Sequence, residues 1–130
     1  MMLIFFMATS IAFVSCDASQ EKEMELDSLH EQLISVLEEK ETAVETRYNS
    51  GTATHLLLLN ASVEVLEAKI SATSDRKAKL DFAKQLVKSH GDRVSFATKG
   101  VESGVFDVVE SLDIKADYLR AQILLNQLEK

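Results

Sequence analysis

One turn is written twice in this chain. Gly104 stands 53 residues after Gly51, and the same offset aligns Leu33 with Leu86, Ser50 with Ser103 and Ile70 with Ile123. The first copy runs Arg47-Tyr48-Asn49-Ser50-Gly51-Thr52-Ala53-Thr54 and continues through Leu59, Leu66 and Ala68. The second runs Gly100-Val101-Glu102-Ser103-Gly104-Val105-Phe106-Asp107 and continues through Leu112, Leu119 and Ala121. A glycine just past the last turn of a helix adopts the left-handed conformation that pairs the orphaned carbonyls. Thr54 and Asp107, each three residues on, are caps whose side-chain oxygens accept from the first free amides of the next helix. Glu110 follows Asp107 at the spacing of a capping box. Each copy is therefore expected to end one helix and begin another.

The rest of the chain gives few other places to turn. Its 130 residues include no proline and only four glycines, two of them in the repeated turn. Long helices with short connections follow, and the fold class is expected to be all-α. The first helix is expected from about Glu21 to Asn49, with Leu26, Leu29, Leu33 and Val36 at heptad spacing, interrupted at Lys40 and resumed at Ala43, Val44 and Tyr48. The second, from about His55 to Ala72, carries Leu56, Leu59, Val63, Leu66 and Ile70. Thr73-Ser74-Asp75 breaks the chain again. A third helix runs to about Lys99 or Glu102, with Leu80, Ala83, Leu86 or Val87, and Val94 inward and Gly91 as a weak point. The fourth runs from about Val108 to the end, with Val109, Leu112, Ala116, Leu119, Ile123 and Asn126 inward. Short connections make neighbours antiparallel. The expected architecture is an elongated pair of helical hairpins, or a four-helix up-down bundle with coiled-coil packing, built from two repeats of 53 residues. Both glycine turns would share one end.

Charge and composition exclude several functions. A net charge of −7 argues against a nucleic-acid partner, which needs a basic face to displace counterions. The carboxylates Glu38, Glu39 and Glu41 fan out from one helix rather than converge as a cation loop requires. His30, His55 and His90 fall on separate helices without ligand-spaced neighbours, and are read as exposed single histidines. No nucleophile elbow and no phosphate-cradling loop is present. The chain is therefore read as a non-enzyme, with neither catalytic residues nor a metal or organic cofactor.

Residues 1–16 are uncharged and strongly apolar, the length of a secretory apolar region and short of the roughly 20 residues of a spanning helix. No Lys or Arg precedes them. They are read as a signal segment, residues 17–20 as a tether, and residues 21–130 as the helical domain. Phe13-Val14-Ser15-Cys16 resembles a bacterial lipobox. That resemblance implies a diacylglycerol on Cys16 and a lipid anchor, and Asp17 is the residue that in some bacteria retains such a protein at the inner membrane. Simple cleavage near Cys16, or an inert buried thiol, are the other readings of this lone cysteine. A single cysteine excludes an internal disulfide framework and a multi-cysteine metal site.

A wider resemblance covers roughly residues 29–130. Arg47-Tyr48-x-x-Gly51, followed by Leu59-Asn60-Ala61 and Leu66-Glu67-Ala68, resembles the repeat of the TolC-like outer membrane efflux protein family. The second copy is similar at Gly104, at Asp107-Val108-Val109 and at Tyr118-Leu119-Arg120-Ala121, and departs at Val101, where the family has an aromatic. The resemblance implies periplasmic α-helical hairpins whose tips meet an adaptor protein, with Arg47, Gly51, Thr54, Gly104 and Asp107 as tip residues. The barrel strands of that family have no counterpart here, so a hairpin relative is expected rather than a channel. The partners expected are an envelope protein at the tips, or further copies of the chain through the leucine seam. The location expected is the periplasm or a lipid-anchored position. For Arg47 the other reading is local: a cation in the last turn, favourably placed against the helix dipole.

Overall fold

The computed structural model describes residues 2–130, with side chains from residue 19 onward. The export segment 1–16 and the Cys16 lipidation site lie outside the residues whose side chains are described. Among the described residues there are four helices and no strand: α1 Met2–Asn49, α2 His55–Ala72, α3 Arg76–Glu102 and α4 Val108–Glu129. The all-α expectation holds. Helix α1 begins well before Glu21, since no proline or glycine lies between Met2 and Glu21 to stop it. Among the described residues, no helix is long and apolar enough to cross a membrane.

The chain divides into two units, Met1–Gln32 and Leu33–Lys130. In the first, the side chains described from Ser19 to Leu29 are all exposed. The second contains the end of α1 and the other three helices. Within it α2 packs on α3 and α3 on α4. Lys40 of α1 meets Glu64 of α2 at 3.0 Å, an exposed pair of small energetic weight. At the other edge, Arg76 at the start of α3 donates to the Leu128 carbonyl near the end of α4, at 2.9 and 3.2 Å.

The core is thin and rich in small side chains. Val63 and Leu66 of α2, Leu86 of α3 and Ala121 of α4 form its centre, with Ile70, Phe82, Val87 and Leu124 around them. The expected seam of α2 does turn inward: Leu59, Val63 and Leu66 are buried, and Leu56 and Ile70 half-buried. Ala61, Val65 and Ala68 are buried too, so α2 is covered on two faces.

Two of the expected seams are turned away from the core, one of them nearly to the opposite face. On α4 the inward residues are Ser111, Ile114, Tyr118, Ala121, Leu125 and Leu128, a heptad displaced by two positions from the expected one. Two residues are about 200° of rotation, so the expected seam lies nearly opposite the core. Val109 (63% exposed), Leu112 (59%), Leu119 (50%) and Ile123 (57%) stand outward. On α1 within the second unit the covered line is Ile34, Leu37, Glu41 and Val44, so that of the expected residues Val44 is buried while Leu26, Leu29, Leu33 and Val36 are exposed. Helix α3 runs without interruption through the expected weak point Gly91, and the Tyr118 ring packs there, 3.5 Å from where a β-carbon would sit.

The turns match atom for atom. After α1, the Gly51 amide donates to the Tyr48 carbonyl at 3.1 Å and the Thr52 amide to the Arg47 carbonyl at 2.8 Å. After α3, the Gly104 amide donates to the Val101 carbonyl at 3.1 Å and the Val105 amide to the Gly100 carbonyl at 2.8 Å. Both are Schellman closures, and both glycines are left-handed, with φ of 82° and 76°. No atom lies within 4 Å of a β-carbon added at either. Alanine there is opposed by backbone conformation alone. Gly104→Ala should therefore lower stability by about 1–2 kcal/mol, read as a shift in urea midpoint; an unchanged midpoint would show that the turn relaxes without cost.

Candidate interaction site

The five expected tip residues fall on these two turns. Arg47 closes α1, and its guanidinium reaches the Thr52 carbonyl at a long 3.5 Å, the local role of a last-turn cation. Thr54 caps α2 by accepting from the Leu57 amide at 3.2 Å. Asp107 caps α4 by accepting from the Val109 amide at 3.3 Å. It takes the amide two residues on rather than that of Glu110, and no reciprocal bond from Glu110 forms among the described residues, so Asp107 caps the helix without the expected capping box.

A run of aromatic rings brings the two turns together. Tyr48, at the end of α1, lies 5.4 Å from His55 at the start of α2. His55 lies 6.0 Å from Phe96 of α3, and Phe96 meets Phe106 of the second turn edge-on at 5.7 Å. These centroid spacings are those of interacting rings. Phe106 sits directly over Gly100, where an added β-carbon would come within 2.9 Å of the ring. Only a residue without a side chain lets the phenyl ring lie so close to α3. Arg47, Thr54 and Asp107 are exposed around this aromatic floor, and they offer a guanidinium, a hydroxyl and a carboxylate for contact with another surface.

A second polar group lies deeper, among α2, α3 and α4. His90 is 3% exposed, which corrects the expectation of a solvent-facing histidine. Arg93, 12% exposed, donates from Nε to Asn60 Oδ1 at 2.8 Å and approaches Asp117 Oδ2 at 3.4 Å. Its Nη1, the nitrogen that approaches Asp117, also lies 2.8 Å from His90 Nδ1. A guanidinium only donates, so Nδ1 must carry the lone pair and the ring proton resides on Nε2. That nitrogen faces Glu67 Oε1 at 4.0 Å, too far for a hydrogen bond. His90 is therefore neutral, and no ion pair joins it to Glu67. The inward line of α3 reads Ala83, Leu86, His90, Arg93, Ala97: the two polar residues occupy seam positions.

Burial holds the His90 pKa below its usual 6.5, Arg93 adds to the effect and Asp117 opposes it. Glu67 moves the other way, its carboxyl raised above 4.5 by burial and by Asp117. Below 6.5 the unfolded chain takes up a proton that folded His90 refuses. Stability should thus fall as pH drops from 6.5 towards the folded-state value and level off beneath it. Protonation of Glu67 acts oppositely, since the folded chain takes that proton first as pH approaches 4.5 from above. Urea midpoints at pH 7.5, 6.5 and 5.5 should decline in the native protein and stay flat in His90→Gln; parallel profiles would remove His90 as the cause.

His90 Nδ1 is held by Arg93, and Arg93 is committed to three partners. Among the described residues, no three His, Cys, Asp or Glu side chains are grouped to hold a metal ion. No protein-family model matches the chain, and neither a curated protein nor a solved structure does.

Proposed function

We propose that the protein is a non-enzymatic helical interaction component of the cell envelope, similar to the periplasmic hairpins of TolC-like efflux channels and associated with transport without being a channel itself. The chain is read as two repeats, each a helical hairpin with its glycine turn at a common end of an up-down bundle, and the turns as docking tips. One observation carries this reading: the Tyr48–His55–Phe96–Phe106 rings join both Schellman turns into a single end on which Arg47, Thr54 and Asp107 are exposed. The apolar segment before Cys16 supports export, and the lipobox-like Phe13-Val14-Ser15-Cys16 supports an anchor.

A photo-cross-linking residue at Thr52 or Val105, in the full chain in its own cell, should yield adducts with an envelope protein. Adducts only with further copies of the chain, or none, would remove the docking role of the tips. Mass spectrometry of the mature N-terminus tests export separately: a diacylated Cys16 is expected, and an intact Met1 would discard it.

A second reading is a structural protein that self-associates with no transport role. The outward apolar line on α4 favours it, because large apolar side chains at heptad spacing are the pattern of a helix that pairs with another.

A further inference from the structure

Helix α4 carries two heptad seams on nearly opposite faces. The inner one is covered by the core. The outer one repeats Val109, Leu112, Ala116, Leu119, Ile123 and Asn126 at spacings of three and four, with its large apolar members at least half exposed. Its composition is regular: Val109, Ala116 and Ile123 alternate with Leu112, Leu119 and Asn126. Val109 and Ile123 at one seam position and Leu112 and Leu119 at the other make a seam of coiled-coil type, interrupted by the small Ala116 and the polar Asn126. The C-terminal half of this face forms a shallow, mainly apolar groove along Leu119, Gln122, Ile123 and Asn126.

We infer that this face pairs antiparallel with the same face of a second copy of the chain, forming a two-fold dimer through α4. This rests on the reading of the chain as an interaction protein and names the partner of one of its faces. The flanking charges decide the orientation. If two copies run antiparallel about an axis between Asp117 and Tyr118, Leu112 meets Ile123 of the other copy and Ala116 meets Leu119. Asp113 then faces Arg120 of the other copy, twice by symmetry, and Lys115 faces the uncharged Gln122. If they run parallel, the same heptad places Lys115 against Arg120 of the other copy, two like-charged contacts. Asp113 and Arg120 are both exposed, so either is free to make the contact; Arg120 also lies 2.9 Å from Asp117 of its own helix. A self-matching patch related by a two-fold axis closes the assembly at two copies.

The test uses the full chain carrying Cys16→Ser, so that an introduced thiol is the only one, in mild detergent. Leu112→Cys and Ile123→Cys proteins, mixed and oxidised, should give a disulfide-linked heterodimer, while each alone remains monomeric on a non-reducing gel. Self-linking of each single variant, the sign of a parallel pair, would overturn the inference, as would no linking in any mixture. Sedimentation equilibrium should show a dimer whose dissociation constant rises at least about tenfold in Leu119→Glu, since a charge then replaces a buried leucine. Asp113→Arg should weaken the dimer and Asp113→Arg with Arg120→Asp should restore it. A double variant no tighter than the single one would remove the charge pairing. Unchanged helicity by circular dichroism keeps each result distinct from unfolding. Tip cross-linking to an envelope protein is read at Thr52 and Val105, so that reading and this dimer can fail independently.

Discussion

Leu86→Ala should lower the free energy of unfolding by about 3 kcal/mol. Leu86 is the one large side chain that α3 places at the centre of the core, against Val63 and Leu66 of α2 and Ala121 of α4. The other buried apolar positions of the same seam are Ala83 and Ala97. Alanines have no side-chain freedom with which to refill a void, so the cavity term adds almost fully to the lost burial. Small shapes also limit how far the helices could draw together, since their backbones already approach closely. A urea titration followed by circular dichroism measures the effect. A loss below about 1 kcal/mol would mean that the core collapses around the cavity.

Arg93→Ala should cost a comparable amount, about 2–3 kcal/mol, for a different reason. The substitution leaves Asn60 Oδ1 and His90 Nδ1 without their donor and removes the cation that Asp117 approaches. Arg93→Lys should recover only part of the loss, because an ammonium lacks the planar fork that meets three acceptors at once. The variant also has a signature that simple loss of packing lacks. Arg93 helps hold the His90 pKa down, so without it the imidazole should titrate at higher pH in an NMR experiment. An unmoved His90 titration would show that burial alone sets its protonation.

The helices and turns were legible because their signals are local. Gly51 with Thr54, and Gly104 with Asp107, need only a few neighbours to stop one helix and start the next, and all four behave as their chemistry dictates. Which side of a helix meets the core is a different matter. On α2 the hydrophobic line and the buried line coincide, since that helix is covered on two faces. On α4 the sequence offers two heptads, and the more hydrophobic one, through Leu112 and Leu119, faces outward. The inward one relies on Ser111, Tyr118 and Ala121, whose sizes suit close approach to α3 and the bare backbone at Gly91. Hydrophobicity ranks the seams in the wrong order because shape decides the packing. His90 and Arg93 were hidden for a related reason. Continuing the Ala83–Leu86 spacing by four and then three reaches both, but polar residues in an apolar seam read as an interruption until Asn60 and Asp117 arrive from other helices.

The tyrosines make the chain its own optical instrument. With no tryptophan and two tyrosines, its ultraviolet emission comes from Tyr48 and Tyr118 alone. Tyr48 stands 5.4 Å from the His55 ring at the turn end, and Tyr118 lies against Gly91 on the face between α3 and α4. Replacing either with phenylalanine leaves a single emitter, one for the joined turns and one for the α3–α4 packing. The two regions can then be watched separately as the protein opens, without attaching a dye to either.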